Sequence, residues 1–336
     1  MTTARRWWGR FPRLIIGVMV VALGVAVLVE VASGENDSGP EVDEQPVPTI
    51  ESRTYAIGQE PSAVFFDGER LWVAETGFGT VTSYGLDGQR LDTADVGGQP
   101  ATLTGGAGFV WSLDARDGSV NQLDTDANKV RKFQVGVEPA GMVFLGQHLW
   151  VTDPSRGALS QITLQGALAR QIEFGVSPGV IANTPEQVLV VDADTLTVTG
   201  IDTSGEIVGS FEYPERIVVN GQDIAPGRPT AFLSTPEALW MAFGDVGQVL
   251  RLTPGGRQLG MTRVPTGPLA LVWGGDELWV ASADAGSVTR ISGDGTIVAT
   301  HVIGGAPTGI TYDGEHAWIV DSEKNALIQL TPAMIR

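Results

Sequence analysis

The sequence predicts an all-β protein, a seven-bladed β-propeller of four-stranded blades preceded by one N-terminal transmembrane helix. Three observations carry this. Seven prolines (Pro61, Pro100, Pro139, Pro178, Pro229, Pro268 and Pro307) recur at gaps of 39, 39, 39, 51, 39 and 39 residues. Eleven residues after each stand Trp72, Trp111, Trp150, Leu189, Trp240, Trp279 and Trp318. Short apolar runs between Gly/Asp turns fill each repeat, and units of this length bury a continuous core only by stacking on their neighbours. Ahead of the repeats, Leu14 to Val29 forms a run with no charged side chain.

The chain begins with a basic segment, residues 1–13, holding Arg5, Arg6, Arg10 and Arg13 and no acid. As a helix the sixteen-residue apolar run that follows is ~24 Å long, short of the ~30 Å hydrocarbon core of a bilayer. Adding Phe11, Pro12, Val31 and Ala32, with Arg13 snorkelling to the interface, closes the gap, and the transmembrane helix is assigned to residues 14–32. Trp7 and Trp8 suit the interfacial aromatic belt, and the arginines before the run place residues 1–13 in the cytoplasm and the rest outside. A cleaved signal peptide is the competing reading, since it shares the basic and apolar regions. The long apolar stretch and Glu30, where a cleavage site prefers a neutral residue, favour an uncleaved signal-anchor. Residues 33–52, rich in Gly, Ser, Pro and acids, read as a flexible solvated linker.

The propeller then spans residues 53–336. Each repeat opens with an inner strand after its proline, as in Ser62–Phe66 and Thr308–Tyr312, and turns at Asp-Gly pairs such as Asp67-Gly68. A second strand carries the tryptophan. Nine residues further on, an apolar residue marks the third strand: Val81, Val120, Leu159, Val198, Val249, Val288 and Leu327. Four residues before the next proline, Val96, Val135, Phe174, Ala225, Val264 and Ile303 end the fourth strand. The last repeat stops after its third strand, while Ile57 sits four residues before Pro61. Arg53–Ile57 is therefore expected to pair with the last repeat and close the ring, removing an exposed sheet edge. Six tryptophans at equivalent places are expected to pack between blades, because a binding site would not repeat in this way.

Two motifs show the repeat well: Asp313-Gly314 leading to Trp318-Ile319-Val320-Asp321, and Gly286-Ser287-Val288-Thr289-Arg290-Ile291. Over residues 53–336 the pattern resembles the streptogramin-lyase-like and NHL-repeat propellers. The resemblance implies the propeller fold and leaves function open, because such folds serve as lyases, sensors and scaffolds. Its lyase branch implies magnesium held near the channel mouth by histidine and glutamate. Here His148 and His316 stand two residues before a tryptophan and His301 falls in a fourth strand, so no catalytic histidine carries over. The residues following the prolines (Ser62, Ala101, Ala140, Gly179, Thr230, Leu269 and Thr308) include no acid or base. That argues against proton transfer or an activated nucleophile on the inner strands.

A formal charge of −18 argues against nucleic-acid binding. The chain has no cysteine and thus no disulfide or thiol chemistry. No catalytic, metal or cofactor residues are expected. Three residues after the tryptophan position stand Glu75, Asp114, Asp153, Asp192 and Asp321, either accepting N–H bonds in their own turns or forming an acidic ring that attracts a cation. The fourth repeat carries twelve extra residues, placed around Tyr213–Ile224. An insertion of this kind either emerges as a loop on the binding face or is a silent drift. The candidate partner-binding residues are Tyr213, Glu215, Arg216 and Asp223 on that loop, with Arg228, Glu60 and Glu138 before their prolines, and Arg116 and Arg156. The expected function is a membrane-anchored extracytoplasmic module that binds a cell-envelope protein, peptide or glycan. The alternative is a lyase or hydrolase working at the channel mouth.

Overall fold

The computed structural model describes residues 51–174, 177–219 and 221–332. The basic segment 1–13, the membrane helix over 14–32 and all but the last two residues of the 33–52 linker lie outside the described residues. Among those described, the strands form seven four-stranded antiparallel sheets and one two-stranded hairpin. Six of the four-stranded sheets are meanders of consecutive strands, and the seventh takes its outer strand from the start of the propeller. In blade one the inner strand Pro61–Phe66 pairs with Leu71–Glu75, then Thr80–Tyr84, then the outer strand Arg90–Asp95. Pro61 is the first residue of its strand, the place where a sheet tolerates the missing N–H.

Burial follows position in the blade. Second and third strands are covered on both faces by neighbouring blades, so Leu71–Glu75 and Ser119–Leu123 are buried at every residue. Outer strands such as Lys129–Gln134 are exposed at nearly every residue. The six repeat tryptophans are at most 1% exposed, and Leu189 in the seventh place is 4% exposed. Burying an indole removes roughly 150–250 Å² from water, about 4–6 kcal/mol at 25 cal/mol/Å² and an upper figure because the unfolded chain already hides part of it.

The ring closes as the spacing predicts. The strand Glu51–Ala56 pairs antiparallel with Ala326–Thr331 and completes the blade begun at Pro307–Tyr312. Each outer strand ends in one N–H that bonds the carbonyl of the turn between second and third strands. Val96 donates to Gly79, Val135 to Gly118, Phe174 to Gly157, Val264 to Gly247 and Ile303 to Gly286, at 2.7–3.1 Å. Ile57 donates to Asn325 at 3.0 Å, the same contact made by the closing strand.

Blade four corrects the sequence reading in one respect. There the donor is Tyr213, bonded to the Leu196 carbonyl at 2.9 Å, and the outer strand is Ile207–Glu212. Ala225, counted back from Pro229, is exposed and belongs to no strand. Tyr213 is thus the last residue of the regular repeat, and the extra residues follow it. They include the hairpin Ile217–Val219 and Gln222–Ile224.

Candidate functional site

The meander sends the loops between blades, and those between second and third strands, to one face. The prolines, the hairpin and the strand-ending acids all belong to this proline-loop face. The acids are pinned by backbone N–H groups. Asp114 accepts from Gln99 at 2.7 Å with one oxygen and from Arg116 and Asp117 at 2.9 and 3.1 Å with the other. Asp321 accepts from Ala306, Glu323 and Lys324 at 3.0–3.1 Å. Asp153 accepts from Val137 and Arg156 and from the Ser155 hydroxyl. Burial pushes the Asp153 carboxyl up, but these bonds outweigh it and hold it below the ordinary carboxylate value. Glu75, one methylene longer, accepts from Gly58, Thr80, Thr82 and Tyr84 at 2.7–3.0 Å. All five carboxylates are at most 1% exposed. Glu75, Asp114, Asp153 and Asp321 each tie the loop entering their blade to their own turn, Asp192 accepts only from Asp194 and Thr195 of its own turn, and none of the five is offered to solvent. Among the described residues no three His, Asp or Glu side chains converge on a point where a metal would sit.

Blade five replaces the acid by Phe243, fully buried with its ring 6.3 Å from that of Tyr213. The hairpin occupies the loop that would otherwise present the N–H donor, so an apolar contact takes over where a carboxylate would lack its partner. Tyr213 therefore cannot be an exposed anchor for a partner. It is 2% exposed, in a cluster with Leu189, Val198 and Leu239.

The other candidates stand at the surface. Glu60, Arg116, Glu138, Arg156, Glu215, Arg216 and Arg228 are exposed. Arg216 bridges the hairpin to Asp223, its Nε 3.0 Å from Oδ2. Arg228 is ion-paired with Asp194 in the blade-four turn, which tethers the hairpin's trailing end. Sequence reasoning missed two exposed apolar residues on this face, Phe78 at 58% and Val137 at 52% exposure. Phe78 had a legible signal, a phenylalanine between two glycines at a loop tip where four of the other six repeats carry a polar residue (Asp117, Arg156, Thr195 and Lys324).

At the centre of the same face a cavity of about 850 Å³ is walled by inner-strand residues including Ala63, Val64, Leu103, Leu269 and Ile310. Glu60 and Glu323 enter its rim from the loops, and its lining holds no histidine, lysine or arginine. The hydroxyls that line it stitch blades together. Ser62 Oγ donates to the Pro100 carbonyl at 2.7 Å, and Thr308 Oγ1 to that of Pro61 at 2.9 Å. Ser62 has no basic neighbour in that lining, and the arrangement suits hydrogen bonding and apolar contact.

No protein-family model and no curated protein sequence matches the chain. Solved structures do. A catalytically inactive histidine-to-alanine variant of virginiamycin B lyase from Staphylococcus aureus, crystallised with quinupristin, is similar at a TM-score of 0.71 and 19% identity, over 84% of this chain and 99% of that one. BamB from Moraxella catarrhalis is similar at 0.62 and 15% identity, over 86% and 99%. BBS1N in complex with ARL6DN is similar at 0.65 and 17% identity, over 84% and 94%. At these identities the likeness shows a shared propeller fold.

Proposed function

We propose that this chain is an extracytoplasmic propeller, anchored in the cell membrane by residues 14–32, that binds a cell-envelope protein, peptide or glycan through its proline-loop face and catalyses no reaction. One observation carries this reading: the hairpin of blade four stands on the same face as Phe78, Val137 and the central cavity. Exposed apolar residues beside paired charges are the composition of a recognition surface, where a few well-packed aromatic and arginine anchors dominate binding. The rim carboxylates Glu60 and Glu323 have no histidine or metal cluster beside them with which to move a proton. BBS1N, of the same fold, is in complex with another protein. The anchor rests on the run Leu14–Val29 and the arginines before it.

The test is capture from native membranes. Replacing residues 214–225 by a short Gly/Ser loop is expected to leave the melting temperature nearly unchanged, because altering a surface loop costs little closure entropy, while removing the co-purifying partner. Phe78→Ala is expected to weaken capture in the same direction. An unchanged set of partners in both variants refutes the binding face, and turnover of quinupristin by the purified chain refutes the non-catalytic reading.

A further inference from the structure

Six of the seven seams between blades hold a repeat tryptophan, and three of these set a second ring beside it. Trp111, Trp240 and Trp279 each lie beside a ring of the following blade: Phe144 at 6.2 Å and 15°, Trp273 at 6.2 Å and 31°, and Tyr312 at 6.2 Å and 36°. Each of these second rings stands six residues before the tryptophan position of its own blade. The indole N–H also has a recurring acceptor five residues earlier. Trp111, Trp150 and Trp279 donate to the carbonyls of Gly106, Leu145 and Gly274 at 3.2, 3.4 and 3.0 Å. Trp72 and Trp318 donate to the carboxylates of Asp67 and Asp313, both at 2.7 Å.

The seam between blades four and five keeps the acceptor position and lacks both rings. Leu189 takes the tryptophan's place and Ser234 that of the second ring. A cavity of about 540 Å³ lies there, lined by both residues together with Thr184, Pro185, Pro236 and Leu239. Thr184 stands five residues before Leu189, and its carbonyl receives only a 3.4 Å contact from the Asn183 amide next to it. Three turns that frame the cavity carry Pro185, Pro236 and Pro254, whose fixed φ resists collapse into the space. The volume falls within the roughly 300–1,000 Å³ usual for small-molecule sites, whose walls are mostly apolar with a few placed polar groups.

We infer that this seam is a binding site for a planar aromatic molecule with an N–H or O–H on its edge, of the indole or phenol class. Its ring occupies the place filled by tryptophan in the other six seams, and its edge donor meets the Thr184 carbonyl. The cavity is built from two turns between inner and second strands and, at Pro254, one between third and outer strands, all on the face opposite the hairpin. It is therefore independent of the partner-binding surface.

The probe is fluorine-labelled indole, titrated by fluorine NMR against the purified full chain. Saturable binding is expected for the natural sequence, weakened at least about tenfold in Leu189→Trp, which fills the seam with the ring it lacks. Ser234→Phe, which restores only the second ring, is expected to weaken it in the same direction and serves if Leu189→Trp fails to fold. Naphthalene, of similar shape without an edge donor, is expected to bind more weakly. Replacement of residues 214–225 is expected to leave indole binding unchanged, which separates this site from the partner face. Absence of saturable binding at millimolar indole, equal binding by the natural and filled variants, or naphthalene binding as well as indole overturns the inference.

Discussion

Tyr213 joins two features of this fold in one side chain. Its hydroxyl is buried without a hydrogen-bond partner, and burial together with the nearby Asp192 charge pushes its pKa up to about 12. Its ring packs on Phe243 in the cluster that also holds Leu189. Tyr213→Phe is therefore expected to stabilise the protein by about 1 kcal/mol, since it removes a desolvated hydroxyl and keeps the ring. Tyr213→Ala is expected to cost about 3–5 kcal/mol, as large aromatic truncations in cores do. Urea denaturation of the two variants checks both signs, and a loss of stability in Tyr213→Phe would point to a partner for the hydroxyl. Counting back four residues from Pro229 lands on Ala225, because the insertion separates the proline from the strand end. Only the Tyr213 N–H to Leu196 bond identifies the true end of the repeat.

At the scale of the element, several turns are held by one acid, and the Asp313 turn between inner and second strands shows what that implies for pH. Asp313 accepts from the Trp318 indole at 2.7 Å and from the backbone of Glu315 and His316 at 2.8 and 2.6 Å. Burial pushes its carboxyl up, but these bonds outweigh burial and hold it below the ordinary value. A carboxyl whose folded pKa is depressed contributes stability that is complete above its unfolded value near 4 and is lost as pH falls through the folded value. The urea midpoint is thus expected to fall between about pH 5 and pH 2, and to fall less steeply over that window in Asp313→Asn. Parallel curves for the two proteins would assign the acid sensitivity elsewhere, Asp153 being the next group to test. The five strand-ending acids were legible at tryptophan plus three. In all but Asp192 their bonds reach the loop entering the blade as well as their own turn, which spacing within one repeat does not contain.

At the scale of the molecule, the strand Glu51–Ala56 closes the ring against Ala326–Thr331 across nearly the whole length of the chain. Tyr55 stacks 6.0 Å from Trp318, so the closing strand also covers the core of the last blade. Deleting residues 1–50 is expected to leave the melting temperature of the propeller nearly unchanged. Deleting 1–58 is expected to lower it by more than about 10 °C, the shift that several kcal/mol produces in a domain of this size. Equal melting temperatures for the two truncations would show that the ring holds without its clasp. The likeness to virginiamycin B lyase, BamB and BBS1N stops at this scale, since one ring serves unrelated tasks and function resides in what the loops add to it.

The sequence by itself determined the blade count, the four strands of each blade, the closing strand and the buried tryptophans. All of these are periodic, and period is a property of the covalent chain: a residue type needed at one seam is needed again at the next. It also located the insertion, through the single gap of 51 residues. Only the tertiary structure decided what breaks the period. It turned the insertion into a hairpin, moved Tyr213 from the rim into the core, tied the five carboxylates to backbone N–H groups, and left a cavity where Leu189 and Ser234 face each other across a seam. Each of these depends on which atoms of two different blades meet, and residues apart in sequence acquire that relation only when the ring closes.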